Sequence, residues 1–508
     1  MNRFGRLIRI VFSVVFLLSP PGAIHAADKA SPSLRAGAAK VDITDPAAKT
    51  RGTPLYVKAL VLSDGDTTAV IVTVDVVAIG EIGPIGKDYL STVRMQLEKE
   101  LGIKPANVLV NASHCHGVVC KDVEARTLQA VREAWHKMAP VAVGVGRGHE
   151  DRVMENRRLK LKNGGEADVR HAYSVPPDEE VAGIGPVDSE IGVLRFDRKN
   201  GQTLAVVHNF ACHPIQGIPG GGNTADLTGY ASRVIEDNLS EDAIALFLQG
   251  CAGDINPILY KDVDRPRDAE PLGNMLGLST LKALRTIKSR EDVELRVVNE
   301  TIELPRADLA QRIVSLQAEQ TRLLRSLQGT SLNLKTFIPL YVKYQVSGEF
   351  PSCYSHGYFH DTMIGRDDWS KLDAENRKNM EQYVKNVHVM EELTRVQTNL
   401  ALLERHQAQN AAAGKKTIDV EVLGLRVGEF VLVTFPGELG VQIGLNIKKR
   451  SPRGLTFVAG CTNGYIYYAP TEEQLGNSGC AQEDCDCLLA PGWQMLFENK
   501  AADILGKL

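Results

Sequence analysis

Short runs of β-branched and apolar residues, broken by stretches of helical period, recur through the first 300 positions of the chain. Leu55–Leu62 and Thr68–Val77 are two such runs, joined by Ser63-Asp64-Gly65-Asp66, whose Asp-Gly step marks a hairpin. Val93–Leu101 reads as a helix and Asn107–Ala112 as a buried strand. Leu204–Phe210 is a strand that runs into His213-Pro214, a glycine-rich loop (Gly217–Gly222) and a helix from about Thr228 to Asn238. Ile244–Leu248 is a further strand, ending at Gln249-Gly250-Cys251-Ala252-Gly253-Asp254. Strands alternating with helices predict a mixed α/β fold, and polar residues gather where the strands end, the usual position of sites in such folds.

Residues 305–415 differ. Leu309–Leu327 and Ala374–Gln409 place apolar residues three and four apart among many Glu, Arg and Gln, as long solvated helices do. They frame a segment rich in aromatics, histidine and glycine, Phe337–His360. This is read as a helical excursion inserted late in the chain, carrying either a wall of the site or a helical pair that only packs. His356 and His360 are four apart, a metal-binding spacing on a helix, but Gly357 between them argues for a loop and a role as substrate wall. β-rich sequence resumes through Phe430–Phe435.

With 58 Lys+Arg against 62 Asp+Glu and no dense basic cluster, the chain carries no electrostatic footprint for nucleic acid. Arg3, Arg6 and Arg9 flank the apolar run Ile8–Leu18, followed by Pro20-Pro21-Gly22 and an alanine-rich stretch, the order of a signal peptide over residues 1–26. The run is about half the ~20 residues a membrane span needs. A secreted or periplasmic protein is expected, its residues 33–508 forming one domain. The nine cysteines are sparse for a disulfide scaffold. Cys480, Cys485 and Cys487 crowd one loop, read as a local disulfide in preference to a zinc knuckle, because Cys-x-Cys lacks a second ligand pair nearby.

Chemistry-bearing residues follow the strands. Asn111-Ala112-Ser113-His114-Cys115-His116 sets two histidines at i and i+2, which in extended backbone share a face. Asn209-Phe210-Ala211-Cys212-His213-Pro214 adds a third histidine, kept from helical geometry by Pro214. Phe435-Pro436-Gly437-Glu438 supplies a carboxylate after a β run. Two imidazoles and a carboxylate with one open position suit a catalytic zinc, though the spacing equally permits loop histidines with no metal. The Gly217–Gly222 loop lacks the Lys-Ser/Thr of a phosphate loop and reads as the floor of the site. Ser113 and Ser478 lack a nucleophile-elbow context.

In order along the chain, Ala36-Gly37-Ala38-Ala39-Lys40-Val41-Asp42-Ile43-Thr44, Ser113-His114-Cys115-His116, Asn156-Arg157-Arg158, Pro186-Val187-Asp188, Phe210-Ala211-Cys212-His213-Pro214, Gly250–Pro257, Pro436-Gly437-Glu438 and Asn463-Gly464-Tyr465-Ile466-Tyr467-Tyr468 resemble the N-terminal catalytic domain of the neutral/alkaline, non-lysosomal ceramidases. Those are secreted zinc amidases that split the N-acyl bond of ceramide. The resemblance implies a ceramidase-like fold and a Zn2+ bound by His114, His213, Glu438 and Tyr468, with Tyr465 the less favoured tyrosine. It implies that His116 sits beside the scissile carbonyl and that an arginine of the Asn-Arg-Arg segment, taken as Arg158, holds substrate or oxyanion. Asp254 is expected to orient a ligand histidine or the Gly253 loop. Where the ceramidases carry a catalytic serine, this chain has Asn256, which offers a hydrogen bond to an oxyanion but no nucleophile. The Cys-rich loop at 480–487 also departs from the family, and a C-terminal β-sandwich is expected to be absent after Leu508.

The expectation is therefore a zinc-dependent hydrolase that cleaves an amide of an N-acylated, sphingolipid-like substrate by zinc-activated water, with peripheral membrane contact. The alternatives are a hydrolase of the same fold acting on a non-sphingolipid amide or ester, such as an N-acyl sugar, and a surface or binding protein without catalysis.

Overall fold

Period-two alternation along each strand sorts the apolar side chains into separate layers. In Tyr56–Ser63, Val57, Ala59 and Val61 enter one buried cluster while Leu60 and Leu62 enter another. In the computed structural model, which describes residues 33–48, 52–169, 175–217, 223–258, 260, 267–477 and 481–508, this pattern builds two stacked sheets. The signal-peptide segment 1–26 and Cys480 lie outside the described residues. Residues 33–508 form one compact unit.

Arg35–Asp42 (β1), Tyr56–Ser63 (β2), Thr68–Val74 (β3), Val108–Ala112 (β4), Ala139–His149 (β5), Glu190–Arg198 (β6), Thr203–Phe210 (β7) and Ile244–Gln249 (β8) make a sheet of order β8-β7-β6-β5-β1-β2-β3-β4. β3 with β4 and β7 with β8 are parallel; the other pairs are antiparallel. Leu295–Pro305 (β9), Thr417–Val427 (β10), Phe430–Thr434 (β11) and Thr456–Ala459 (β12) form the second sheet in chain order. Between the sheets lie Leu60, Ile71, Phe196, Val207 and Leu246 from one side and Leu425, Phe430, Leu432 and Phe457 from the other.

Helices cover the outer faces. Tyr89–Leu101 (α1) and Val123–His136 (α2) bury Val93, Leu97, Val131 and Ala134 against the first sheet, and α1 stops at Gly102, whose φ of 67° is left-handed. Asp226–Asp237 (α3) and Glu270–Leu284 (α4) cover the β6–β8 end. Ala310–Ser326 (α5), Leu334–Val346 (α6), Ser355–Met363 (α7) and Asp368–Ala412 (α8) are the late excursion, inserted between the antiparallel partners β9 and β10. Val441–Arg450 (α9) and Trp493–Lys507 (α10) bury Ile443, Ile447, Trp493, Phe497 and Ile504 on the far face of the second sheet. The result is a mixed α/β sandwich of helices, sheet, sheet and helices, as the alternation predicts.

The expected loop at His356–His360 is instead helix α7. Gly357 lies within it, packed against Cys353, whose Sγ an added Cβ would meet at 2.8 Å. Both histidines face solvent, and neither lines the cavity described below. Among the described residues no helix is long and apolar enough to cross a membrane.

The end strands β4 and β8 of the large sheet approach each other. Gln249 N donates to Asn111 Oδ1 at 3.0 Å, Thr73 Oγ1 to the Phe247 carbonyl at 2.8 Å and Lys58 Nζ to the Ala245 carbonyl at 2.7 Å. This approach brings the loops after β4 and β7 to one place.

Candidate metal centre

The loop after β4 is docked on the end of β3, with Ser113 N donating to Val74 O and His114 N to Val76 O, each at 2.9 Å. His114 is held at φ 68°, a left-handed conformation that costs a non-glycine residue about 1–2 kcal/mol. Cys461, Asn463 and Tyr467, on the segment packed beside it, are also left-handed. Such concentrated backbone strain is typical of functional sites. The kink breaks the extended geometry on which the i, i+2 expectation rests. His114 turns inward and is 2% exposed, while His116 is exposed at the cavity mouth, their ring centroids 5.7 Å apart and edge-on.

His213, just beyond β7, is 3% exposed and fixed by one carbonyl: Ile255 O accepts from both His213 N at 3.1 Å and Nδ1 at 2.9 Å. Glu438 arrives from the end of β11. Its strand pairs in parallel register with Tyr468, and Glu438 N donates to Tyr467 O. Glu438 Oε2 lies 3.3 Å from His114 Nε2 and 2.9 Å from His213 Nε2, and Oε1 accepts from the Tyr465 hydroxyl.

Tautomers follow from the partners. His114 Nδ1 faces the Val77 carbonyl at 2.6 Å and His213 Nδ1 the Ile255 carbonyl, and a carbonyl only accepts. Each Nδ1 therefore carries the proton, and each Nε2 points its ligating position at Glu438. Imidazoles anchored through Nδ1–H to carbonyls are the usual outer support of metal ligands. The ligand atoms of His114, His213 and Glu438 all lie within 4.8 Å of one another, and the three residues are buried. Two imidazoles and a carboxylate fit a zinc ion with an open position.

The electrostatics suit a cation. Burial by itself would raise the Glu438 pKa, but His114 and His213 hold it well below the ordinary carboxylate value. Burial pulls the imidazoles down; on His114 the Glu438 charge and the Cys461 thiol overcome it, whereas His213, beside the Arg157 guanidinium, drops to about 4. A carboxylate held ionised between two imidazoles favours positive charge at this point.

Around this cluster is a cavity of about 320 Å3, lined by Val77, Ile82 and Ile215 on its apolar side and by His116, Arg157 and Tyr468 on its polar side. Arg158, expected to reach the substrate, does not line it. Its buried guanidinium is consumed by Glu166 at 2.7 Å, Asp484 at 2.9 Å and Glu483 at 3.3 Å. Successive residues of an extended segment point to opposite sides, so Arg157 is the arginine that faces the cavity. Its Nε pairs with Glu483 at 2.6 Å, and Nη2 donates to Gly253 O at 2.5 Å and to the Tyr468 hydroxyl at 3.3 Å.

Tyr468 stands with its ring nearly parallel to His213, centroids 6.5 Å apart, and its hydroxyl on Arg157; the hydroxyl that touches Glu438 is that of Tyr465. Asn256 is fully buried behind Arg157 rather than in the cavity wall. Its Oδ1 accepts from Arg157 Nη1 at 3.0 Å, and its Nδ2 has no hydrogen-bond partner among the described residues. Asp254 orients neither histidine directly. Its Oδ1 accepts from Val441 N at 2.8 Å and its Oδ2 from Asn156 Nδ2 at 3.1 Å, which ties the turn after Glu438 to the Asn-Arg-Arg segment. Ser113 is fully buried and does not line the cavity, and Ser478 lies outside the described residues. Of the glycine-rich loop only Gly217 is described; its N–H donates to Asp226 Oδ2 at 2.7 Å, so a carboxylate occupies the position an anion would take.

The Cys-rich loop holds the site together through its acids. Cys487 is a buried thiol, pushed up to about 12 by burial. Glu483 holds Arg157, Asp484 holds Arg158, and Asp486 accepts from Arg405 and His406 on α8 at 2.8 Å each. Arg405, Tyr467 and Asp486 also line the cavity. The excursion thus contributes to the site through α8 and not through the aromatic segment Phe337–His360. Nothing in the solvated-helix pattern around Arg405 marked it, since its partner lies 81 residues away.

No protein-family model and no curated sequence matches the chain. Among solved structures it is similar to the neutral ceramidase from Pseudomonas aeruginosa, with a TM-score of 0.57 and 15% identity, covering 94% of this chain and 75% of that one. A ceramidase complexed with C2 matches equally, over 93% and 75%. The fold is ceramidase-like.

Proposed function

We propose that the protein is a zinc-dependent amide hydrolase acting on an N-acylated substrate. The observation that carries this reading is the buried His114, His213 and Glu438 cluster, with both histidines anchored through Nδ1 so that each Nε2 faces the same carboxylate oxygen. The ceramidase-like fold supports it. A zinc ion held by these three residues would supply Lewis acidity to the scissile carbonyl and to the attacking water.

The chain's own residues account for the rest. Arg157 donates to the Tyr468 oxygen, which polarises the phenol toward donating its own proton, so the pair offers preorganised donors for a developing oxyanion. Asn256, Gly253 and Glu483 hold Arg157 in place from behind. The His116 imidazole, at the cavity mouth, is placed to take a proton from water and return it to the leaving nitrogen. Val77, Ile82 and Ile215 give the acyl chain an apolar wall.

Elemental analysis of the mature protein beside Glu438→Ala tests the metal, and a released-amine assay on N-acylated substrates tests the reaction. About one zinc per chain, lost in the variant, is expected; a wild type that binds no zinc when it is supplied overturns the proposal. Export, proposed from the N-terminal sequence, predicts a mature chain that begins near residue 27. Peripheral membrane contact is part of the same proposal and predicts co-flotation with phosphatidylcholine vesicles; a protein that stays wholly unbound removes that part.

A further inference from the structure

Arg405 comes from the excursion, yet it lines the same cavity as His114, His213 and Glu438. It is held on several sides. Nη2 donates to Asp486 Oδ1 at 2.8 Å, the Tyr467 ring lies 5.2 Å from the guanidinium carbon, and the fully buried His406 holds the same carboxylate oxygen through Nε2 at 2.8 Å. Asp486 is 6% exposed, but the Arg405 side chain keeps half its surface open. An arginine whose rotamer is fixed in advance loses little entropy on binding, and its planar fork matches a carboxylate in two-point geometry.

The charged residues lining the cavity, among those described, balance two against two. Arg157 and Arg405 face Glu438 and Asp486. Glu438 is turned to the histidines, and Asp486 engages Arg405 through Nη2 while sharing the same oxygen with His406, so that half of the Arg405 side chain stays exposed beside the pair. At about 320 Å3 the cavity is near the lower end of small-molecule pockets, about 300–1,000 Å3. It has room for an acyl amide with a short chain.

We propose that Arg405 is the anion subsite of this cavity, and that the substrates are N-acyl amino acids, with the carboxylate on Arg405 and the amide carbonyl at the His114, His213 and Glu438 cluster. This rests on the reading of the site as an amide hydrolase. The reaction balances with water alone: its oxygen forms the new bond to the carbonyl carbon, the C–N bond breaks, and a proton passes to the leaving nitrogen, giving a fatty acid and an amino acid.

Three probes separate the possibilities: N-octanoylglycine, its neutral glycinamide and the aminomethylphosphonate analogue. On the zinc-loaded wild type, kcat/KM is expected to favour an anionic probe over the amide. Arg405→Gln should lower that ratio about 10- to 100-fold, through KM, the loss expected for a hydrogen-bonded charge pair. Arg405→Lys, which keeps the charge without the fork, should fall between the two and serves where the glutamine variant does not fold. A phosphonate preferred over the carboxylate keeps the subsite but overturns the amino-acid assignment. A ratio unchanged in both variants, or a wild type that prefers the neutral amide, overturns the subsite and leaves the hydrolase reading standing. Calorimetry of N-octanoylglycine on zinc-free protein gives the converse: binding that needs Arg405, with no turnover of any probe, supports the subsite and sinks the hydrolase reading.

Discussion

Gly253→Ala probes how the site is spaced. Gly253 lies on the loop after β8, against the strand that carries Glu438, and its N–H donates to Leu439 O at 2.8 Å. A Cβ at this position would meet Glu438 O at 2.7 Å and Leu439 O at 2.9 Å. Both are backbone atoms, so no side chain can swing aside. Restoring ordinary contact near 3.4 Å requires the Glu438 strand to move by about 0.7 Å. Metal ligands need distances held to about 0.2 Å, so the displaced carboxylate should lower zinc affinity about 10- to 100-fold, by analogy with the loss of supporting contacts. Overpacking should cost a further ~1–3 kcal/mol of stability. Zinc affinity by competition with a chromophoric chelator and the urea midpoint of metal-free protein read the two effects. Gly183→Ala, where a Cβ meets nothing within 4 Å, is the control and should change neither. A Gly253→Ala protein that binds zinc within twofold of wild type would falsify the claim that close approach of this loop sets the position of Glu438.

Arg158→Gln should cost about 3–5 kcal/mol of stability, because it strands buried carboxylates, while the folded protein keeps its kcat; Arg157→Gln should lower kcat at least tenfold, and equal kcat losses in the two variants would refute the assignment. Burial, then the Glu483 charge, raises Asp168 to about 7, so it keeps a proton that the unfolded chain loses near 3.9; its contribution to stability therefore falls as pH rises from about 4 to about 7. Asp168→Asn should flatten that slope in urea titrations between about pH 4 and 7, and an unchanged slope would count against the shift. Zinc at 100 times its dissociation constant should stabilise the wild type by about 2.7 kcal/mol and the Glu438→Ala protein by none, with excess chelator reversing the gain; equal gains in both would remove the three-residue site.

What the sequence determined is local. Strands β2, β3, β4, β7 and β8 and helix α3 were legible within a few residues, because period-two and period-3.6 patterns depend only on near neighbours. The residue types of the candidate site were legible too: histidines beyond β4 and β7 and a glutamate beyond β11 stand where strand ends gather polar groups. Which side chains meet was decided by the tertiary structure. His213 and Glu438 are 225 residues apart, and the docking of the second sheet on the first brings their atoms within 2.9 Å, while the approach of β4 to β8 adds His114. Direction was likewise out of reach. A left-handed His114 separates it from His116, strand alternation sends Arg157 into the cavity and Arg158 onto Glu166, Glu483 and Asp484, and a shared carbonyl fixes His213. Arg405 carries no local mark at all, since a solvated helix and a cavity wall have the same composition until an acid 81 residues away pins one side chain in place. Periodicity reports which face of an element is buried, but the direction and partner of a polar side chain depend on backbone angles and long-range packing that no local pattern encodes.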